Sequence, residues 1–244
     1  MKLKTVSFYI TIIAIFFSSI VSAQDQQHDS SFTTIAVNNA IEVYHHTLDK
    51  ASGIYNGAEY DGYSFRFEEG IPWFGAKDSV AGSVAYDGVL YRDIFMKYDE
   101  IKDMLVIWYN NDAIRLLNEK ISHFNMQGHS FIRLIKDNQS RELVNTGFYE
   151  QLYTGKTTAL KKTIKTIQEK SDISDGLLKT IDQKTYFYLR TTHGYISVSD
   201  KGDVTEALKD HKKEIKDFIG SNNLNFKKDP AGFLAKVAAY YDTL

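Results

Sequence analysis

The sequence predicts an α+β fold dominated by strands: a curved antiparallel sheet, arranged as a sandwich or an incomplete barrel, with two C-terminal helices packed on it. Between Gly53 and Val198, short alternating apolar runs are separated by turn residues at a spacing of about 8–12 residues, as in antiparallel sheets. Asp87-Gly88 lies between two such runs and is a strong hairpin signal. After Ser199 the apolar spacing becomes helical. We therefore expect about eight to eleven strands followed by helices.

The first 23 residues have the layout of a secretory signal peptide. Lys2 and Lys4 are followed by the uncharged run VSFYITIIAIFFSSIV, and VSA places small residues before a cleavage site after Ala23. The apolar run is shorter than the roughly 18 residues that indicate a membrane span. An uncleaved N-terminal anchor is the alternative reading. We expect an exported protein, located in the periplasm or associated with the outer membrane.

Residues 24–33 (QDQQHDSSFT) are polar and predict a disordered start. Residues 34–244 are expected to form a single β-rich domain. At its beginning, Val37, Ile41, Tyr44 and Leu48 are spaced by four, three and four residues, which favours a helix. Alternation in the same stretch also allows a short strand.

Composition excludes several classes of function. Cleavage after Ala23 removes two of the 29 basic residues and none of the 31 acidic ones, so the mature chain has a net charge of −4. This weak negative charge gives no electrostatic basis for binding nucleic acid. The absence of cysteine excludes disulfides, a thiol nucleophile and a thiolate metal site.

The strands follow from local patterns taken in order. YSFRF places Tyr63, Phe65 and Phe67 on one face of a predicted strand. GSVAYDGVLYRDIFMKYD forms a hairpin, DEIKD the next turn, MLVIWY a buried strand, and NND a break. The remaining predicted strands are AIRLL, ISHFNM, SFIRLI, GFYEQLY, TTALKKTIKTI, KTYFYLR and YISVS.

Residues 203–244 predict a pair of amphipathic helices. Asp203 and Glu206 have the spacing of a capping box, and Gly220 ends the first helix. Asp229-Pro230 has the N-cap and N1 residues of a second helix. The apolar faces consist of Leu208, Ile215, Phe218, Ile219, Phe233, Leu234, Val237, Ala238 and Tyr241.

No catalytic, cofactor or metal site is predicted. The chain lacks the GxSxG, SxxK, HExxH, GxGxxG and P-loop motifs. His123 and His129 lie on consecutive predicted strands, so they are candidates to face each other across a hairpin with Asp137 nearby. Such a group lacks a third convergent ligand.

We interpret most of the charged residues as having a structural role. Asp99, Glu100 and Asp103 occupy a predicted turn, where acidic side chains bond the backbone and solvate the loop. Lysines between Lys156 and Lys170 are interpreted as guards of an exposed sheet edge. The alternative is a binding patch for an acidic partner.

Several segments resemble a set of exported, β-rich proteins of Bacteroidetes bacteria over about residues 40–244. The segments are IYNGAEYDGY, GIPWF, AGSVAYDGVLYRDIFMKYDEIKDMLV, ISHFNMQGHSFIRL, GFYEQLYTGK and FLAKVAAYYDTL. Their glycines, aromatic residues and turn acids are typical of a fold and not of a reaction. The resemblance implies a location in the envelope of a Gram-negative cell and assigns no functional residue.

We therefore expect a non-enzymatic protein of the cell envelope that binds a partner protein or an apolar ligand on its curved sheet. The alternatives are a glycoside hydrolase with two opposed carboxylates and a carbohydrate-binding module with stacking aromatic residues. The residues proposed to contact a ligand are Trp73, Phe74, Tyr63, His123 and His129.

Export with cleavage after Ala23 is directly testable. N-terminal sequencing of the protein from the cell envelope should give QDQQHD, because the small residues of VSA fit the signal-peptidase site. A protein that still begins with MKLK in the cytoplasmic fraction would contradict the prediction.

Overall fold

The structure, a computed structural model, describes Val37 and residues 53–136, 144–172, 176–192 and 194–244. Three predicted segments lie outside the described residues: 1–23, 24–33 and the helix expected at 37–48, of which only Val37 is described, as helical. Asp137 lies outside them as well. In the described part of the chain, no helix has both the length and the apolar character needed to cross a membrane.

The described residues form one open sheet of eleven antiparallel strands, which confirms the predicted fold class. The strands are β1 (Ala58–Glu59), β2 (Val80–Tyr86), β3 (Val89–Asp99), β4 (Met104–Tyr109), β5 (Asp112–Arg115), β6 (Ile121–Met126), β7 (His129–Leu134), β8 (Gly147–Thr154), β9 (Thr158–Asp172), β10 (Gly176–Thr191) and β11 (Gly194–Val198). Their order in the sheet is β1-β5-β4-β3-β2-β6-β7-β8-β9-β10-β11.

The sheet curls so that the turn between β3 and β4 contacts β8 and β9. Four strands separate β3 from β9 in the sheet order. Nevertheless, the N–H of Lys165 in β9 donates to the carbonyl of Glu100 at 3.3 Å. The N–H of Phe148 in β8 donates to the carboxylate of Asp103 at 3.4 Å. The architecture is therefore an incomplete barrel and not a sandwich.

Residues 68–74, which we call the crossing segment, connect β10 with β3. The N–H of Glu68 donates to the carbonyl of Lys179 in β10 at 2.9 Å. At the other end, the N–H of Phe74 donates to the carbonyl of Tyr98 in β3 at 2.8 Å. The segment is thus held at both ends by backbone hydrogen bonds.

The main core lies on the inner, concave face of the sheet. The rings of Phe124 and Phe131 stack there with centroids 4.7 Å apart. The alternating aromatic residues on this face, such as Tyr98, are therefore core residues, as their period of two predicted. Ala81, Phe95 and Asn125 lie on the opposite, outer face. Buried residues of the inner face include Val84, Met96, Tyr98, Phe124, Phe131 and Phe148.

Three α-helices, not two, follow the sheet: α1 (Lys201–Ala207), α2 (Lys212–Ser221) and α3 (Pro230–Tyr241). A 3-10 turn at Lys209–His211 separates α1 from α2. The predicted apolar faces pack on the sheet, in a core cluster that includes Ala159, Leu189 and Val198 together with Ile215, Ile219, Phe233, Leu234, Val237 and Ala238.

The ends of the helices agree only in part with the prediction. Asp229 caps α3 by accepting a hydrogen bond from the N–H of Gly232, with Pro230 in the first turn, as predicted. The cap of α1 is Asp200, however, which accepts from the N–H of Asp203. The predicted capping box was wrong because the helix begins several residues earlier.

Residues 63–67 are not a strand, contrary to the prediction. Their three aromatic rings still contact one another, with the Tyr63 and Phe67 centroids 5.0 Å apart and the Phe65 and Phe67 centroids 5.2 Å apart. Contacts among the rings and with other segments replace the backbone pairing that the alternation suggested.

The hairpin at Asp87-Gly88 has positive φ angles at both central residues, 52° and 80°, as its turn type requires. Gly88→Ala should destabilise the protein by about 1–2 kcal/mol, the cost of a left-handed conformation for a residue with Cβ. Thermal or urea unfolding measures the change. A Cβ at Gly88 would meet no atom within 4 Å, so the expected loss of stability comes from backbone strain and not from a steric clash.

Gly220→Ala is the matched control, since its Cβ would also meet no atom within 4 Å but Gly220 lies in α2. This substitution should stabilise the protein slightly, because alanine favours helix. Equal effects of the two substitutions would contradict the assigned turn.

Candidate functional site

The turn between β3 and β4 buries a carboxylate that organises the residues around it. The Asp99 side chain is fully buried and accepts hydrogen bonds from the hydroxyls of Tyr60 at 2.6 Å and Tyr63 at 2.9 Å. It also accepts from the N–H groups of Ile101 and Lys102, each at 2.9 Å. The prediction that this acid bonds the backbone of its turn is confirmed, but the side chain is buried and does not solvate the loop.

Both tyrosines are held in their neutral form. Burial, and then the adjacent Asp99 carboxylate, raise the pKa of Tyr60 and of Tyr63 far above the ordinary value of 10.0. The ammonium of Lys102 lies 4.6 Å from the centre of the Tyr60 ring and 4.7 Å from that of Tyr63. Its Nζ donates to the carbonyl of Gly62 at 2.7 Å.

A second lysine lies between two tryptophans. Nζ of Lys97 is 5.0 Å from the ring centroid of Trp73 and 4.9 Å from that of Trp108. The two indole rings meet edge to face, with centroids 6.5 Å apart and planes at 70°. Burial lowers the pKa of Lys97, and the carboxylate of Asp78 partly opposes this shift.

Together these residues form one partly exposed surface, which we call the aromatic surface. The Tyr60 and Trp73 rings connect its two halves, with centroids 5.6 Å apart. Lys179 Nζ lies 4.0 Å from the centroid of the Phe65 ring. The aromatic surface consists of Tyr60, Tyr63, Phe65, Phe67, Trp73 and Trp108, with Lys97, Lys102 and Lys179.

A buried ion pair fixes the crossing segment below this surface. Nζ of Lys165 is 2.8 Å from Oε2 of Glu100, and both side chains are less than 10% exposed. The same Nζ donates to the carbonyls of Ile71 at 3.0 Å and Trp73 at 2.7 Å. Burial raises the pKa of Glu100, and Lys165 opposes this shift. Removing one partner of such a pair costs about 3–5 kcal/mol.

Lys161, Lys162 and Lys165 of β9 therefore do not guard an exposed sheet edge, and the prediction was wrong for these three lysines, whereas Lys170 is exposed. β9 lies between β8 and β10. Lys162 pairs with Asp103 at 2.8 Å and Lys161 with Glu150 at 2.6 Å. The acidic partners of these two lysines and of Lys165 come from the same chain, because the curled sheet brings the β3–β4 turn and β8 to β9.

The two histidines do not share a site. His129 Nδ1 lies 2.6 Å from Glu150 Oε1 on the inner face, and its ring contacts Phe74 with centroids 5.0 Å apart. His123 pairs in register with Ile132 and Ala85, on the outer face. His123 and Met126, the partner of His129, are three positions apart in β6, and side chains alternate along a strand, so the two histidine rings point to opposite faces. The described residues include no group of three or more potential metal ligands.

The residues proposed from sequence thus divide into three places. Trp73 and Tyr63 lie in the aromatic surface, Phe74 and His129 meet at the edge of the inner core, and His123 lies alone on the outer face. Sequence reasoning missed Lys97 and Trp108. The register of β3 and β4 places both on the outer face, and only the tertiary structure shows Trp73 beside them.

Comparison with protein-family models, curated proteins and solved structures found no match to this chain.

Asp99→Asn should lower the pKa of Tyr60 and Tyr63 but leave both above 10.0, because burial remains while the negative charge is removed. A tyrosine whose pKa is raised on folding stabilises the native state below pH 10, and this stabilisation is lost as pH rises through the folded pKa. The variant should therefore lose less stability above pH 10 than the wild type. Absorbance at 295 nm and unfolding at several pH values measure both effects.

Asp61→Asn, at an exposed position of the same segment, is the control and should titrate like the wild type. An unchanged tyrosine titration in Asp99→Asn would show that the carboxylate does not act on these hydroxyls.

Proposed function

We propose that this is an exported, non-catalytic binding protein of the cell envelope, and that it binds a partner protein through the aromatic surface. The observation that carries the proposal is the partly exposed cluster of six rings and three ammonium groups. Tryptophan and tyrosine are enriched among the residues that dominate the binding energy of protein interfaces.

The geometry of the rings favours a protein over a carbohydrate. Stacking on a sugar requires an open ring face, but Lys97 lies against Trp73 and Trp108, and Lys102 lies against Tyr60 and Tyr63. The indole planes are also inclined at 70° and form no flat platform. The surface therefore offers ring edges beside ammonium groups, which suit the mixed apolar and polar contacts of a protein interface.

The inner face gives no comparable support for an apolar ligand or for hydrolysis. The described inner face is filled by its own aromatic core and by the three helices. Glu100 and Glu150, its buried carboxylates, are each paired with a lysine. A partner protein on the outside of the sheet is therefore the better proposal.

The surface is also rigid before binding. Asp99 fixes the hydroxyls of Tyr60 and Tyr63, and Lys165 fixes the backbone at Trp73. Side chains that are already ordered lose less entropy on association, so preorganisation increases affinity.

A photo-crosslinking amino acid placed at Trp73 or at Trp108 should, in the native host, give an adduct with the same protein. Tyr186 is the matched control position, an exposed aromatic residue outside the aromatic surface. With the purified partner, Trp73→Ala and Trp108→Ala should each weaken binding by about 2 kcal/mol, as expected of dominant interface residues. Tyr186→Ala should leave the affinity unchanged.

Adducts that form equally at Tyr186, or that contain only glycan or lipid, would contradict the proposal. So would wild-type affinity of both tryptophan variants for the crosslinked protein.

A further inference from the structure

A polar groove of about 320 Å³ lies on the outer face, and its lining shares no residue with the aromatic surface. It is formed where β2 lies between β3 and β6, close to the β6–β7 turn. The polar side chains that line it are Ser83, Arg92, Asp93, Asn125 and Gln127. Its size is at the lower end of the range of small-molecule sites, about 300–1,000 Å³.

A β-bulge creates this lining. Gly82 pairs with Ile94 and Val84 pairs with Tyr91, so Ser83 alone faces both Arg92 and Asp93. Adjacent residues of a regular strand point to opposite faces. The extra residue in β3 lets the neighbouring guanidinium and carboxylate line one groove, as bulges beside binding sites commonly re-aim side chains.

The backbone at the bulge adopts a conformation that is unfavourable for a residue with a side chain. Asp93 has a φ angle of 55°, in the left-handed region. A non-glycine residue in this region costs about 1–2 kcal/mol, and such strain clusters at functional sites. A glycine would form the bulge more easily, but it would provide no carboxylate.

The floor of the groove is open backbone. A Cβ at Gly82 would lie 2.3 Å from the carbonyl of Asn125 and 3.2 Å from the sulfur of Met96. Only glycine therefore allows β2 and β6 to approach so closely here. The missing side chain would point to the inner face, toward Met96, so Gly82 sets the spacing of the strands beneath the groove and lines it with backbone alone.

The lining suits a neutral ligand rich in hydroxyl groups. One cation and one anion balance each other, and two amides and a hydroxyl add both donors and acceptors. Nδ2 of Asn125 donates to Oγ of Ser83 at 3.2 Å, so these side chains already share an orientation. Phosphate or another strong anion would be repelled by Asp93, and a cation by Arg92.

An exposed aromatic ring stands next to the groove. Phe95 is 56% exposed, more than any other aromatic residue in the described part of the chain. It pairs in register with Ala81, which lines the groove. Sugars present C–H groups on one side of the ring and hydroxyls around it. A phenyl face beside planar amide and carboxylate groups matches both features.

We propose that this groove binds a neutral carbohydrate, with Phe95 against the sugar ring and Asp93, Arg92 and Asn125 on its hydroxyls. The site does not depend on the aromatic surface, because the two share no residue. The sequence suggested a carbohydrate-binding module that would use aromatic residues such as Trp73 and Phe74. The proposed carbohydrate site lies instead at the β-bulge.

The test uses the mature chain and a defined panel: methyl glycosides and disaccharides of glucose, galactose, mannose and N-acetylglucosamine. Saturation-transfer NMR detects binding, and calorimetry gives the affinity. At least one neutral saccharide should bind, and Phe95→Ala and Asp93→Gly should each weaken it about tenfold or more, as the loss of a ring contact or a charged hydrogen bond does.

Asp93→Gly also separates function from folding. Because glycine adopts positive φ without strain, this variant should melt at a higher temperature than the wild type while it binds more weakly. Leu90→Ala, at an exposed apolar residue on the same strand, is the control and should change the affinity less than twofold.

Lack of binding to every saccharide at millimolar concentration would overturn the proposal. Unchanged affinity in both Phe95→Ala and Asp93→Gly, or binding of glucuronate or inorganic phosphate in place of the neutral sugars, would overturn it as well. Trp73→Ala should leave saccharide binding intact. The proposal of a partner protein on the aromatic surface and the proposal of a saccharide in the groove are therefore tested by separate results.

Discussion

Pairing of three carboxylates in one short turn, two of them buried, is the constraint on which the rest of the structure depends. Asp99, Glu100 and Asp103 lie at the β3–β4 turn, and each finds its partner in a distant part of the chain. An unpaired buried charge costs several kcal/mol, so the turn is stable only when those partners are in place. The N-terminal tyrosines, the crossing segment and β9 are therefore expected to fold as one cooperative unit with β3 and β4.

The same interactions place the exposed residues. Lys165 neutralises Glu100 and binds the carbonyls of Ile71 and Trp73, so a single ammonium links the inner charge to the outer ring. In the same way, the buried Asp99 carboxylate holds the hydroxyls of Tyr60 and Tyr63 and so fixes the positions of their rings. Stability and surface geometry are thus coupled, and a substitution at the turn alters both.

The two faces of the sheet have different roles. The inner face is closed by aromatic side chains and by three helices, and its charges are paired. The outer face carries irregular features: Trp73, Trp108 and Lys97 of the aromatic surface, the β-bulge, and the groove beside Phe95. Irregular backbone on a rigid sheet is a common way to position binding residues.

The sequence by itself determined the local elements of this protein. Alternation, Asp87-Gly88 and Asp229-Pro230 act over a few residues, so strands, a hairpin and a helix start were predicted correctly. Only the tertiary structure decided that three lysines of β9 (Lys161, Lys162 and Lys165) form ion pairs within the chain, that His123 and His129 face apart, and that Trp73 meets Trp108. These contacts join residues far apart in the chain, and they depend on the curl of the sheet and on a one-residue bulge that changes which side chains share a face.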